Sequence, residues 1–317
     1  MRKILITLTL LLISFNLSNC FSRELYEEIK AKAPFKVMDY EEHQKIFGGR
    51  TYEDFSLWKG ENKLFSPEAF ALLEETRSKS FLDDDDNKVK QVLPAEFDWR
   101  KVNPGCLSPI KNQAFCGGCY SFSVTAALET RMCIASQGKV AVELSQQHII
   151  SCDINNHKCQ GDRIDNTWKF VEMQGTVSLQ CKPYESANGF APPCKNTCKS
   201  IFTKPVKYYA RPGSWRFLTS IYDIKSEIMN NGPISAGMET YEDFSLYKGD
   251  IYIHTTGRQT DHHAVVILGW GYDARYRSEY WILRNSWGPD WGENGYFKVL
   301  FGNYEVNNMC NASLPSL

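Results

Sequence analysis

The sequence predicts an α+β protein with helices gathered in its first half and strands in its second. Three observations carry this. The stretch 119–131 (CYSFSVTAALETR) follows the flexible pair Gly117 and Gly118 and sets Phe122, Ala126 and Ala127 on one helical face. Two further helices are expected at 145–150 and 164–173. Beyond Lys204 the runs HHAVVILGWGY and YWILRNSW cluster β-branched and aromatic residues between glycines, as strands do.

The chain has 317 residues, enough apolar content for a large core, and 36 Lys+Arg against 37 Asp+Glu, a formal net charge of -1. No global field points to nucleic acid or to an anionic membrane, so neither is an expected partner. Residues 1–20 put Arg2 and Lys3 before an apolar run at 4–15 and small residues Ser18 and Cys20 at the end, the pattern of a signal peptide cut after Cys20. That run is shorter than the ~20 residues a bilayer span needs. Entry to the secretory pathway, ending in a lysosome, a digestive vacuole or outside the cell, turns the 11 cysteines towards disulfides. Their spacing alone leaves the pairing open.

Residues 21–92 are charged and helix-favouring and close on the acidic run Asp83 to Asp86, which reads as an exposed, cleavable boundary. Residues 93–317 are richer in cysteine, aromatics and glycine and form the main domain. One oddity spans both regions: YEDFSLWKG at 52–60 nearly repeats YEDFSLYKG at 241–249. A single duplication is no repeat architecture. The expectation is that the early copy mimics the later one in a contact made only before cleavage.

The chemistry concentrates at Cys116-Gly117-Gly118-Cys119. A thiol is a nucleophile as its thiolate, and Cys119 stands where a helix begins, where free N–H groups and the helix dipole favour an anion and depress the thiol pKa. In DHHAVV the imidazole of His263 opens an apolar strand that would hold it rigidly. Asn285 can accept a hydrogen bond from one ring nitrogen and turn the other to sulfur, while Trp287 covers that bond. Gln113 can join the Cys119 N–H as an oxyanion donor. A redox pair or half a zinc site at Cys116 and Cys119 would leave the His263 and Asn285 blocks unexplained.

QAFCGGCYSF, DHHAVVILGWG and NSWGPDWGENGYF together resemble the active-site blocks of the papain superfamily of cysteine peptidases, and LPAEFDWR, RMCIAS and METYEDFSLYKGDIYIHTTG resemble its cathepsin B branch. The separation of Cys119 and His263 falls within the ~130–150 residues of papain-like enzymes. The resemblance implies a two-lobed fold, a helical N-terminal lobe and a β-barrel-like C-terminal lobe with the cleft between them. It implies Cys119 as nucleophile, His263 rather than His262 as general base and acid, Asn285 as orienting residue and Gln113 as oxyanion donor. Peptide hydrolysis would run through a thioester with no metal or organic cofactor. Gly118, Gly161, Asp162 and Trp287 would line the substrate. Residues 21–92 would be a propeptide lying through the cleft as the enzyme's own inhibitor, and cystatin-type inhibitors would be further partners. The implied bridges are Cys106 with Cys133, Cys116 with Cys159, Cys152 with Cys194 and Cys181 with Cys198, leaving Cys119 and Cys310 free. His43, His148, His157 and His254 read as packing or surface residues, and Trp270, Trp281 and Trp291 as core or cleft wall.

The chain also departs from that pattern. The segment 182–193 is short and has no histidine, where cathepsin B carries a long occluding loop with a histidine pair, so an endopeptidase with an open primed side is expected. Tyr120 replaces a tryptophan, Ala114 and Phe115 replace a Gly-Ser pair, and Asp162 replaces a glycine whose backbone would pair with substrate. The acidic specificity residue falls near Pro315. An alternative therefore stays open, a catalytically impaired relative that binds peptides or partners without turnover. Asn311-Ala312-Ser313 is a glycosylation sequon.

Overall fold

The computed structural model describes residues 21–48 and 91–317; the N-terminal twenty residues, the first copy of the duplicated segment and the acidic run lie outside them. Ser22 caps the first helix, α1 (Arg23–Lys32), accepting the Leu25 N–H on its hydroxyl at 3.1 Å. The short strand β1 (Lys36–Val37) and helix α2 (Tyr40–Phe47) follow. The main domain opens with β2 (Phe97–Asp98) and a single turn, α3 (Trp99–Val102).

The helical lobe is built on α4 (Cys119–Ala135), which runs four residues past the expected 119–131 and is buried on every side, not along one stripe. Its Tyr120, Val124, Ala127 and Leu128 are wholly buried. Helix α5 (Gln146–Cys152) starts where Ser145 Oγ accepts the His148 N–H at 3.0 Å, and α6 (Ile164–Met173) has the expected bounds. Four disulfides tie the lobe: Cys106–Cys133, Cys116–Cys159, Cys152–Cys194 and Cys181–Cys198. Cys119 and Cys310 are free.

The strand lobe contains β3 (Arg216–Leu218), helix α7 (Ile221–Asn231), β4 (Ile234–Tyr241), β5 (Tyr247–Gly249), β6 (Gln259–Asp273), β7 (Ser278–Arg284), β8 (Tyr296–Leu300) and β9 (Cys310–Ala312). Their antiparallel order is β3-β9-β4-β6-β7-β8, with β2 added on β6. The fold is α+β as expected, and its barrel-like strand lobe is an open sheet: β3 is three residues long and, among the described residues, pairs with β9 alone. Gly269 on β6 is required because any Cβ there would lie 2.0 Å from the Phe97 carbonyl oxygen as β2 crosses. Trp270, Trp281 and Trp291 are fully buried in the core, Trp270 stacked on Phe97 at 5.2 Å.

Buried polar clamps join the lobes. Arg131 of α4 donates to the carbonyls of Gly232, Pro233 and Ser313 and pairs with Glu227 of α7 at 2.8 Å. Ser123 Oγ donates to the Val265 carbonyl at 2.6 Å, fixing α4 against β6. These contacts set the start of α4 beside the strand that carries His263.

Segment 21–48 docks on the strand lobe along the second copy of the duplicated sequence. β1 pairs antiparallel with β5, Met38 N donates to the Leu246 carbonyl at 2.8 Å, and His43 Nε2 meets Ser245 Oγ at 3.0 Å. Ile29, Met38 and Phe47 are buried there, so the contact has a true apolar core.

Candidate active site

The loop before α4 is held by the Cys116–Cys159 bridge and by Gly117 N donating to the Cys159 carbonyl at 2.8 Å. A side chain at Gly117 would meet that carbonyl oxygen at 2.6 Å, so the approach needs glycine. Cys119 follows as the first residue of α4 and is 5% exposed. Burial pushes its thiol up to about 11, and the charge of Asp261 adds to this against the N–H groups of Ala264, Tyr120 and Cys119 itself. Burial therefore works against the depression of its pKa that the helix start favours.

His263 lies on β6, next to the Ala264 N–H that reaches the Cys119 thiol. Its Nε2 is 2.7 Å from Asn285 Oδ1, which also accepts the Ser286 N–H at 2.7 Å. An amide oxygen can only accept, so Nε2 carries the proton and Nδ1 of the neutral ring is left basic. Burial lowers the imidazole to about 4, with the Asn285 bond opposing. The Trp287 ring lies 5.0 Å from the imidazole, and Phe47 of α2 reaches Trp287 at 5.6 Å.

Gln113 is fully buried, its Nε2 donating to the Cys116 carbonyl at 3.0 Å and its Oε1 accepting from Ser286 Oγ at 2.5 Å. Tyr184 donates to the Gln113 carbonyl at 2.6 Å. Ser286 and Tyr184 escaped the sequence reading; the position of Ser286 inside NSWG, between Asn285 and Trp287, was the one available signal.

His262 alternates to the other face of β6, its register partner being Glu239, and its Nε2 lies 3.9 Å from Glu305. Glu239, His262 and Glu305 are the residues with metal-ligand spacing among those described, and the Glu239 carboxylate already accepts from Gln259 and Tyr241. Gly161 adopts φ +90°, whereas Asp162 is buried, with Asn166 Nδ2 at 3.5 Å and its Oδ2 unpartnered among the described residues. Burial raises that carboxyl to about 7. Gly118 caps α4 against Ile150, and the short 182–193 segment folds onto the Gln113 loop, with Phe115 N donating to the Ala187 carbonyl at 3.1 Å.

Of the other histidines, His43 and His148 are buried, His254 faces Asp243 and stacks on Tyr241, and His157 is exposed. Pro315 is buried beside Ala210. Asn311 is fully buried in β9, where its side chain accepts from Trp215, so the folded chain does not present that sequon. No described helix is long and apolar enough to cross a membrane.

Comparison with known proteins agrees with this geometry. Residues 93–314 match the family described as papain family cysteine protease. The chain is similar to Cathepsin B-like CP1 of Giardia intestinalis, 35% identical over 212 residues, 66% of this chain and 69% of that protein. Cathepsin B-like cysteine proteinase 4 of Caenorhabditis elegans is 35% identical over 247 residues, 68% of this chain and 73% of its own. Among solved structures, proCathepsin B S9 from Trypanosoma congolense aligns with a TM-score of 0.67 at 28% identity, covering 72% of this chain and 80% of that one. The chain belongs to the papain family of cysteine proteases, and its relatives there are cathepsin B-like.

Proposed function

We propose that the chain is a cysteine endopeptidase made as a secreted or lysosomal zymogen. Cys119 Sγ attacks the scissile carbonyl carbon, and His263 Nδ1 takes the thiol proton and returns it to the departing amine. The product is a thioester, which water cleaves with the same imidazole as base. The Cys119 N–H and the Gln113 side-chain amide donate to the oxyanion, and Asn285 holds the ring. Gly118, Gly161 and Trp287 border the bound peptide, with Asp162 shaping the wall beside Gly161. The observation that carries the reading is the 2.7 Å bond from His263 Nε2 to Asn285, which leaves Nδ1 as the basic nitrogen.

Residues 21–92 act as the propeptide, and residues 93–317 are the mature enzyme. Supporting this, Phe47 packs on Trp287, whose ring lies 5.0 Å from the His263 imidazole. The missing histidine pair in 182–193 leaves the primed side open, which favours internal cleavage over dipeptide trimming. Asp162, buried next to Gly161, and Ala114, held at φ +51° beside Gln113, favour a second reading, peptide binding without turnover.

A cleavage profile of the processed chain on a peptide library, at acidic and neutral pH, tests both. Internal cleavage that disappears in Cys119→Ala is expected. Binding of peptides with no turnover would establish the second reading, and C-terminal dipeptide release lost on amidation would contradict the open primed side.

A further inference from the structure

The helical lobe holds a second concavity, of about 240 Å3, remote in sequence from Cys119 and His263. Its polar lining is His148, Lys182, Lys195, Asn196, Thr197 and Lys207, with no carboxylate. None of the three ammonium groups has an ion-pair partner among the described residues. Burial lowers the Lys207 ammonium and the charge of Lys182 adds to it; burial also lowers Lys182, with Lys195 assisting and Glu185 opposing. Uncompensated positive charge in a concave site is what an anion relieves.

His148 supplies an independent observation. It is 3% exposed, and its Nε2 lies 3.0 Å from Lys207 Nζ. An ammonium only donates, so Nε2 accepts and the ring proton sits on Nδ1. That buried Nδ1 has no hydrogen-bond partner. The imidazole remains a neutral donor, because burial first and then Lys207 and Lys182 hold its pKa down to about 3. The frame is rigid as well. Cys152–Cys194 fixes the neighbour of Lys195, and Cys181–Cys198 fixes the neighbours of Lys182 and Thr197.

We propose that this pocket binds a tetrahedral oxyanion, phosphate or sulfate, free or as a small-molecule monoester, held by Lys182, Lys195 and Lys207, the last oriented by its bond to His148 Nε2. The site uses none of the residues assigned to peptide hydrolysis, so the two readings stand or fall separately. Three ammonium donors match an acceptor-only ligand carrying charge on several oxygens.

The test uses the full chain with Cys119→Ala, which prevents self-cleavage, and inorganic phosphate as the probe at ionic strength held constant with chloride. The thermal midpoint should rise saturably with phosphate, and the phosphorus NMR line of the ion should broaden. Lys195→Gln, whose side chain is exposed and holds nothing in place, should weaken binding about threefold. Lys182→Gln with Lys195→Gln should weaken it about tenfold, on the same scale for two charges. An equal response to chloride, no saturable response, or unchanged affinity in the double variant would overturn the site. Phenyl phosphate competing at the same Lys195-dependent site supports a monoester ligand; competition by the free ion alone supports the pocket as a phosphate site.

Discussion

At the scale of single residues, each member of the proposed reactive set stands in a distinctive local word: Cys119 after CGG, His263 before AVV, Asn285 in NSWG and Gln113 in NQAF. Its supports were less legible. Ser286 and Tyr184 act on Gln113 across long sequence separations, and only the folded chain brings them together. If Ser286 is a positioning residue, Ser286→Ala should lower kcat about tenfold with KM little changed, as expected for a misplaced oxyanion donor. Steady-state kinetics on the processed enzyme reads that split. Ala114 holds φ +51°, a region that costs an L-residue with a side chain roughly 1–2 kcal/mol. Ala114→Gly should therefore stabilise the fold by about 1 kcal/mol in urea unfolding, after the extra unfolded-state entropy of glycine is subtracted. Asp162 yields a prediction in pH. Its folded carboxyl keeps its proton up to about 7 while the unfolded one releases it near 3.8, so its contribution to stability falls as pH rises across that window. Asp162→Asn imitates the protonated form. Its stability relative to the parent should be level below the window, climb through it and stay constant above, as unfolding at a series of pH values would measure.

At the scale of elements, propensity and periodicity gave α6 its bounds and α5 to within two residues, since both carry their own signals, Ser145 being the cap of α5. Helix α7 was not read, although Ser220 caps its start, Gly232 follows its end and Ile224 and Ile228 are buried on one face. Its neighbours are strands, and the strand pattern on both sides concealed it. The open edge at β3 was equally illegible, because ring closure is decided by pairing between distant strands and not by any local pattern. Glu227 of α7 is the acid that Arg131 of α4 needs, and Arg216 also pairs with it. Glu227→Ala should cost about 3–5 kcal/mol in chemical denaturation, since it leaves a buried guanidinium without its counter-charge. The shelf formed by 241–249 receives β1 and α2, whereas the early copy of the duplicated sequence lies outside the described residues. Met38 is fully buried in that contact. Met38→Asp should loosen it, and the unprocessed chain should then be labelled at Cys119 faster than the parent, a rate that intact-mass spectrometry follows.

At the scale of the whole molecule, the division of labour is plain in the chain order. A helical half supplies the thiol at the start of α4, a strand half supplies the imidazole on β6, and Arg131 and Ser123 pin one to the other. The two-lobed layout was legible through resemblance, but the electrostatic state of its centre was not. A helix start predicts a lowered thiol pKa, whereas burial in this structure works against both charged forms, raising the Cys119 thiol to about 11 and lowering the His263 imidazole to about 4. On the proposed reading, activation must return water or charge to this pair. The direct measurement is the rate and site of alkylation by a peptidyl epoxide, read by peptide-level mass spectrometry on the processed chain. A single adduct on Cys119, formed at least about a hundredfold more slowly in His263→Ala, is the predicted result. An unmodified Cys119, or one that reacts equally fast without His263, would contradict the account.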